Sequence, residues 1–201
     1  MERTTEREIV QKRDKYIKEF QKMAGLTTRQ CGYGGIPFTP HAGQENAYEA
    51  AVCFANDIVA EQKPTGLLLV GGVGSGKTFL AANIVNYLAR IWADHIMKHG
   101  EWHGFGEPQH WYEESKPIYL VNVVELIGRL RSYYENNDSG GSRCFMDRIK
   151  RCNALILDDL GAEKSSDWVQ EKLFEIIDYR YNENLPLIIT TNCVPNELKE
   201  K

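Results

Sequence analysis

The chain has 201 residues with a net charge of −4, which is enough for one well-buried α/β domain and a short appendage. The acidic balance excludes a general electrostatic attraction to nucleic acid, so any such contact needs a local basic face. The five cysteines have no C-x-x-C spacing, which is typical of a reducing compartment. Because residues 1–7 have no signal-peptide core and no apolar run approaches a membrane span, we expect a cytoplasmic protein without membrane partners.

The N-terminal residues predict an amphipathic helical arm. Residues 2–24 carry an apolar stripe at helical spacing, made of Ile9, Tyr16, Ile17, Phe20 and Met23. The stripe can pack on the chain's own core or on another protein, and self-packing is favoured. Glycine and proline punctuate residues 31–40, which predicts a linker. We therefore divide the chain into an arm with its linker, residues 1–35, and a core domain, residues 36–201.

Strands and helices alternate through the core. Predicted helices cover residues 44–61, about 78–91, 123–136, 143–151 and 166–183, and predicted strands cover 66–70, 117–121, 154–157 and 185–191. Residues 93–116 and 138–142 break the periodic patterns and are expected to be loops. This alternation predicts a three-layer α/β/α fold with a parallel sheet.

A phosphate-binding loop follows the first predicted strand. Residues 71–78 match G-x-x-x-x-G-K-T and precede a helix, so backbone N–H groups and the helix N-terminus can face phosphate oxygens. Lys77 is predicted to reach the β- and γ-phosphates, and Thr78 to bind Mg²⁺. The predicted nucleotide contacts are Gly72, Val73, Gly74, Ser75, Gly76, Lys77, Thr78 and Phe79. We therefore predict binding of ATP or ADP with Mg²⁺.

An acidic pair supplies the second half of this predicted site. Asp158 and Asp159 follow the apolar strand 154–157, about 80 residues after the phosphate loop. In such a site the first carboxylate, Asp158, holds Mg²⁺ through water, and the second, Asp159, polarises the attacking water.

Several segments around this pair resemble the AAA+ core of bacterial replicative helicase loaders of the DnaC/DnaI type, and the transposition ATPase IstB is similar in the same segments. The segments are residues 158–163, Trp168, residues 179–180 and residues 188–192. The resemblance covers roughly residues 36–200. It implies that Asn192 ends a strand lying between the phosphate-loop strand and the acidic strand, beside the γ-phosphate. The implied partners are a replicative DNA helicase and single-stranded DNA, with self-assembly in AAA+ fashion.

Two features depart from that family pattern. Such loaders carry an arginine finger and a helical lid after the sensor strand, whereas this sequence stops at Lys201, so we expect both to be absent from it. Arg180 is the only arginine after the acidic pair. It falls near the end of a predicted helix, where capping and dipole interactions explain it, so it is not assigned as a finger. We therefore expect slow hydrolysis by this chain alone.

Other residues are weaker candidates for binding adenine, DNA or a metal ion. The resemblance would put the adenine near residues 33–42, especially Phe38. Residues 93–116 contain Trp102, Phe105, Trp111 and Tyr112, aromatic side chains of the kind that stack on the bases of single-stranded DNA. In the same segment the spacing of His95, His99 and His103 allows a metal-binding pair, although no cysteine completes a tetrahedral site. A basic group can contact DNA or form a solvated helix face, and it consists of Arg129, Arg131, Arg143, Arg148, Lys150 and Arg151.

We weigh five functions against this pattern. The leading one is an ATP-dependent switch in helicase loading, and a transposase-assisting ATPase has the same motifs with a different partner. A small-molecule kinase needs an arginine-rich lid over the phosphates, and no arginine cluster follows the acidic pair. A GTPase needs an Asn-Lys-x-Asp motif, which the sequence lacks. A nucleotide-gated interaction module without turnover stays open.

Overall fold

The computed structural model describes residues 6–34, 36, 39–60, 62, 66–99 and 118–194. The helices are α1 (Glu6–Met23), α2 (Thr28–Cys31), α3 (Glu45–Val59), α4 (Lys77–His99), α5 (Val123–Glu135), α6 (Ser139–Arg151) and α7 (Asp167–Asn182). The strands are β1 (Gly66–Val70), β2 (Ile118–Asn122), β3 (Ala154–Leu160) and β4 (Leu187–Thr191).

The four strands form one parallel sheet in the order β1-β4-β3-β2. Strand β4 therefore lies between the phosphate-loop strand β1 and the acidic strand β3, as the family resemblance implied. Because the strands are parallel, their carboxyl ends meet at one edge of the sheet. That edge brings together the residues that follow Val70, Leu157 and Thr191.

Helices cover both faces of the sheet and bury two apolar clusters. One cluster joins α1, α3 and α4 to the sheet through residues such as Phe54, Leu88 and Ile156. The other joins α5, α6 and α7 to the opposite face through residues such as Leu130 and Leu155. Successive residues of β3 pack alternately into the two clusters, which is the period-two pattern of a strand buried on both sides. The predicted three-layer α/β/α fold with a parallel sheet is confirmed.

The arm helix α1 packs on the chain's own core. The ring of Phe20 lies 5.4 Å from that of Trp92 in α4, and Gln21 donates a 2.8 Å hydrogen bond to Asn86. The backbone N–H of Leu120 in β2 donates to the carbonyl oxygen of Ala24 at 2.8 Å. Self-packing is therefore the observed arrangement, while the division of the chain at residue 35 stays a prediction.

The apolar stripe predicted for the arm extends too far. Ile9 and Met23 are 45% and 40% exposed, whereas Phe20 of the same stripe is buried. The polar residue Gln21, outside that stripe, is buried instead.

Two boundaries of the core helices differ from the prediction by more than two residues. Helix α4 continues to His99 rather than ending near residue 91, because Trp92 and Ala93 are buried and extend its apolar face. The predicted loop 138–142 is wrong, since α6 begins at Ser139. Its first turn forms there because the side chain of Asp138 accepts a hydrogen bond from the N–H of Gly141 at 2.8 Å. Within the described ranges, no helix is long and apolar enough to cross a bilayer.

Candidate nucleotide-binding site

The phosphate loop connects β1 to the N-terminus of the 23-residue helix α4. Gly74 and Gly76 have φ angles of 80° and 91°, a left-handed conformation that favours glycine and lets the backbone curl. The N–H of Ser75 donates to Gly72 at 3.3 Å and closes the loop on itself. Val73, at the tip, is 93% exposed. The loop thus leads directly into a helix N-terminus, whose partial positive charge suits phosphate.

The side chain of Lys77 bridges this loop and the end of β4. Its Nζ donates hydrogen bonds to the carbonyl oxygens of Gly71 and Gly72 at 2.8 and 2.9 Å, and to Oδ1 of Asn192 at 2.8 Å. All three acceptors are uncharged. An ammonium group bonds more strongly to an anion than to neutral oxygens, so phosphate oxygens can displace these partners.

Asp158 is the buried anchor of the site. It is only 5% exposed, and its Oδ1 accepts hydrogen bonds from the hydroxyls of Thr190 at 2.7 Å and Thr78 at 2.9 Å. The structure therefore brings the two predicted metal ligands, Thr78 and Asp158, into direct contact. A hydroxyl and a carboxylate are hard oxygen donors, the chemistry that Mg²⁺ prefers, so these residues fit that ion.

The second carboxylate, Asp159, has an unusual backbone. Its φ is 60°, a left-handed conformation that is uncommon for residues other than glycine. Burial, together with the neighbouring charge of Asp158, raises the pKa of the Asp159 carboxyl above its ordinary value, while the charge of Lys77 opposes this shift. A raised pKa makes Asp159 a stronger proton acceptor at neutral pH than an ordinary aspartate.

Sequence reasoning missed two residues of this site. Thr190 lies within the segment 188–192 without a predicted role of its own, yet its hydroxyl bonds to both members of the acidic pair. Its position two residues before Asn192, near the end of the predicted strand, was a usable signal. Gln44, before α3, donates from Nε2 to the carbonyl oxygen of Ser75 at 2.8 Å. No sequence motif marks that contact.

A cleft of about 440 Å³ adjoins the loop. Its walls include Gln44 and Ala47 at the start of α3, strand β1, and Phe79 on α4. The ring of Phe79 lies 4.9 Å from that of Tyr33. Phe38, the predicted adenine contact, lies outside the described residues.

Arg180 is a structural residue. It is fully buried, and its guanidinium donates to the carbonyl oxygens of Lys150 at 2.9 Å, Cys152 at 2.8 Å and Pro186 at 2.6 Å. Two of these acceptors lie at the C-terminal end of α6, so the expected capping role holds for α6 rather than for the helix that carries Arg180. Burial lowers the pKa of its guanidinium from the ordinary value.

Half of the basic candidate group has local partners. Arg129 bonds to Glu125 at 2.6 Å, Lys150 bonds to Glu175, and the guanidinium carbon of Arg131 lies 5.9 Å from the ring centroid of Trp168. The other three members, Arg143, Arg148 and Arg151, are exposed on α6.

Only part of the predicted histidine cluster lies in the described residues. The rings of His95 and His99 lie 4.6 Å apart on α4, while His103 and the aromatic residues of 100–117 lie outside the described residues. Among the residues that the structure describes, no group of three His, Cys, Asp or Glu side chains is placed to hold a metal ion.

Comparison with known proteins supports the family resemblance. No protein-family model matches the chain. It is 28% identical over 138 residues to the replicative helicase loader DnaI of Bacillus subtilis (strain 168), across 68% of this chain. That match spans 36% of the DnaI sequence, about a third of its length.

Two crystal structures resemble the chain over most of its length. One, of the DnaC helicase loader, has a TM-score of 0.58 at 28% identity and covers 84% of this chain and 81% of that one. The other, of DnaI, has a TM-score of 0.57 at 29% identity and covers 87% and 80%. The predicted resemblance to helicase loaders of the DnaC/DnaI type is confirmed in sequence and in fold, and the fold is the P-loop α/β fold of AAA+ proteins.

Replacing Arg180 with methionine should destabilise the protein by at least about 3 kcal/mol, because several buried carbonyl oxygens lose their donor together. Urea unfolding measures this. The matched control is Arg151→Met, an exposed arginine on α6, which should change the unfolding free energy by about 0.5 kcal/mol or less. Equal effects of the two substitutions would contradict the capping role of Arg180.

Proposed function

We propose that this chain is an ATP-binding switch in the loading of a replicative DNA helicase onto single-stranded DNA in the cytoplasm. One observation carries the proposal. Lys77 and Thr78 of the phosphate loop contact Asn192 and Asp158 at the ends of two neighbouring strands. A glycine-rich turn without a ligand would not require these contacts of Lys77 and Thr78 with the amide of Asn192 and the buried carboxylate of Asp158.

Nucleotide binding follows from the partners of Lys77. Phosphate oxygens compete with the amide of Asn192 and the two loop carbonyls for its ammonium group, and the N-terminus of α4 favours the same anion. Asn192 is thereby released from Lys77 when the γ-phosphate arrives. This exchange reports the presence of the γ-phosphate to β4, which is the switch.

Hydrolysis is assigned to the carboxylates. Thr78 and Asp158 hold Mg²⁺, which neutralises phosphate charge when it is bound. Asp159 takes the proton from a water molecule as that water attacks the γ-phosphate and the bond to the β-phosphate oxygen breaks. Arg180 is committed to the carbonyl oxygens near α6, so an arginine must come from elsewhere to stabilise the transition state. We therefore propose slow turnover by the chain alone and faster turnover in an AAA+ assembly.

The helicase partner rests on the relatives. DnaI of Bacillus subtilis is a replicative helicase loader, and this chain matches about a third of it. For DNA contact we assign the three exposed arginines of α6, since other members of the basic group are engaged with neighbouring side chains. A transposase-assisting ATPase of the IstB type and a nucleotide-gated module without turnover are the alternatives.

Lys77→Ala should weaken Mg-ATP binding by about 30-fold or more, because the substitution removes a charged partner of the phosphates. Isothermal titration measures the affinity. Lys98→Ala is the matched control, since Lys98 is an exposed lysine at the far end of the same helix and should leave affinity unchanged. Unaltered binding by Lys77→Ala would contradict the proposed site, and brisk hydrolysis by the unmodified chain alone would contradict the need for an external arginine.

Combined replacement of Arg143, Arg148 and Arg151 by alanine should weaken binding to fluorescently labelled single-stranded DNA in the presence of Mg-ATP. If all three contact phosphates, the negative slope of log affinity against log salt concentration becomes shallower by about 2 in the triple variant. The control replaces Arg7, Arg29 and Arg90, which are exposed on α1, α2 and α4 and give the same change in net charge. Equal losses in both triple variants would show a general charge effect and reject the α6 surface.

A further inference from the structure

The pairing of β3 with β4 is interrupted at the acidic pair. Leu157 is opposite Ile189, but the next paired residue of β3, Leu160, is opposite Thr191. Two residues of β3 therefore face one residue of β4, which is the arrangement of a β-bulge. The two residues are Asp158 and Asp159, and the bulge coincides with the left-handed backbone of Asp159.

The side chain of Thr190 occupies the position opposite this bulge. Its hydroxyl accepts a hydrogen bond from the backbone N–H of Asp159 at 2.9 Å and donates one to Oδ1 of Asp158 at 2.7 Å. Thr190 is fully buried, so water does not replace these bonds. A single hydroxyl thus satisfies a backbone donor freed by the bulge and the buried carboxylate beside it.

We propose that Thr190 is a positioning residue that holds both carboxylates for Mg-ATP. Through the carboxylate of Asp158 it aims that group at the hydroxyl of Thr78, which lies 2.9 Å away. Through the N–H of Asp159 it stabilises the left-handed backbone that turns the second carboxylate to the same edge of the sheet. Thr190 touches neither phosphate nor metal in this assignment. The inference rests on the proposed function, because it assigns Asp158 and Asp159 to that site.

The arrangement also links the two halves of the site. Thr190 is the last residue but one of β4, and Asn192, which contacts Lys77, follows two residues later, just after the strand. A shift of β4 when Lys77 is drawn to phosphate therefore moves the hydroxyl that orients the acidic pair. Valine has the shape of threonine but neither accepts nor donates a hydrogen bond, so Thr190→Val tests the hydroxyl with little change in packing volume.

The first test needs neither metal nor nucleotide. In Thr190→Val, the amide proton of Asp159 should exchange with solvent at least tenfold faster than in the unmodified protein, measured by NMR, because its acceptor is gone. Thr190→Ser keeps the hydroxyl and should stay within threefold. Thr191→Val is the matched control, since Thr191 is equally buried and also loses a hydroxyl, one that bonds to the carbonyl oxygen of Leu160. That control should leave Asp159 exchange unchanged.

The second test is the Mg²⁺ concentration that gives half-maximal binding of a non-hydrolysable ATP analogue. This concentration should rise at least tenfold in Thr190→Val, whereas affinity for the analogue in EDTA should change less than threefold. Thr190→Ser and Thr191→Val should stay near the unmodified protein in both measurements. If Thr190→Val does not fold, the comparison of Thr190→Ala with Thr190→Ser replaces it under the same criteria.

Three outcomes overturn the inference. They are an unchanged Mg²⁺ requirement with unchanged Asp159 exchange in Thr190→Val, equal impairment in Thr190→Ser, and an equal shift in Thr191→Val. In each case the unmodified protein binds Mg-ATP, so the proposed function survives. If the unmodified protein binds no Mg-ATP, the proposed function and this inference fail together.

Discussion

The carboxylate of Asp158 is the interaction on which the site depends. It lies at the end of a central strand with almost no exposure, and a buried carboxylate is costly unless it receives hydrogen bonds. Its donors come from two different elements, Thr78 at the start of α4 and Thr190 on β4. The group that is assigned to hold Mg²⁺ therefore also ties the phosphate-loop helix to two strands.

Lys77 provides the complementary positive charge. Its ammonium group donates hydrogen bonds to neutral oxygens, one of which belongs to Asn192. These bonds tie the loop to the end of β4. A γ-phosphate is a better acceptor than an amide, so binding energy can be converted into a change at the end of β4. Only Thr191 separates Asn192 from Thr190, so a movement of Asn192 is passed along the backbone to the hydroxyl that bonds to the acidic pair.

Much of the fold was readable because it depends on local patterns. The strand 66–70 was predicted with the observed boundaries, and the place of β4 between β1 and β3 followed from the family resemblance rather than from periodicity. The two errors in helix boundaries have different causes. The extension of α4 depends on the burial of Trp92 against Phe20 of the distant arm, a contact that a local pattern does not contain. The first turn of α6 depends on the side chain of Asp138, whereas the glycines at 140 and 141 give that segment the composition of a loop.

The site was only partly readable for a different reason. The phosphate loop, Asp158 and Asn192 belong to motifs whose spacing carries the chemistry. The roles of Thr190 and Gln44 depend on partners that are 31 residues away, Asp159 and Ser75 respectively. Such long-range contacts cannot be read from one sequence alone. The β-bulge at the acidic pair is likewise a property of two strands together, so the alternation within β3 alone did not reveal it.

The central claim is that nucleotide replaces Asn192 as the partner of Lys77 while Thr78 and Asp158 take the metal. The most direct measurement is a crystal structure with a non-hydrolysable ATP analogue and Mn²⁺, whose anomalous scattering locates the ion. The account predicts an anomalous peak beside the Thr78 hydroxyl and the Asp158 carboxylate, with the Lys77 ammonium on phosphate oxygens and away from Asn192. A bound analogue that leaves the Lys77–Asn192 hydrogen bond intact, or a metal peak elsewhere, would contradict it.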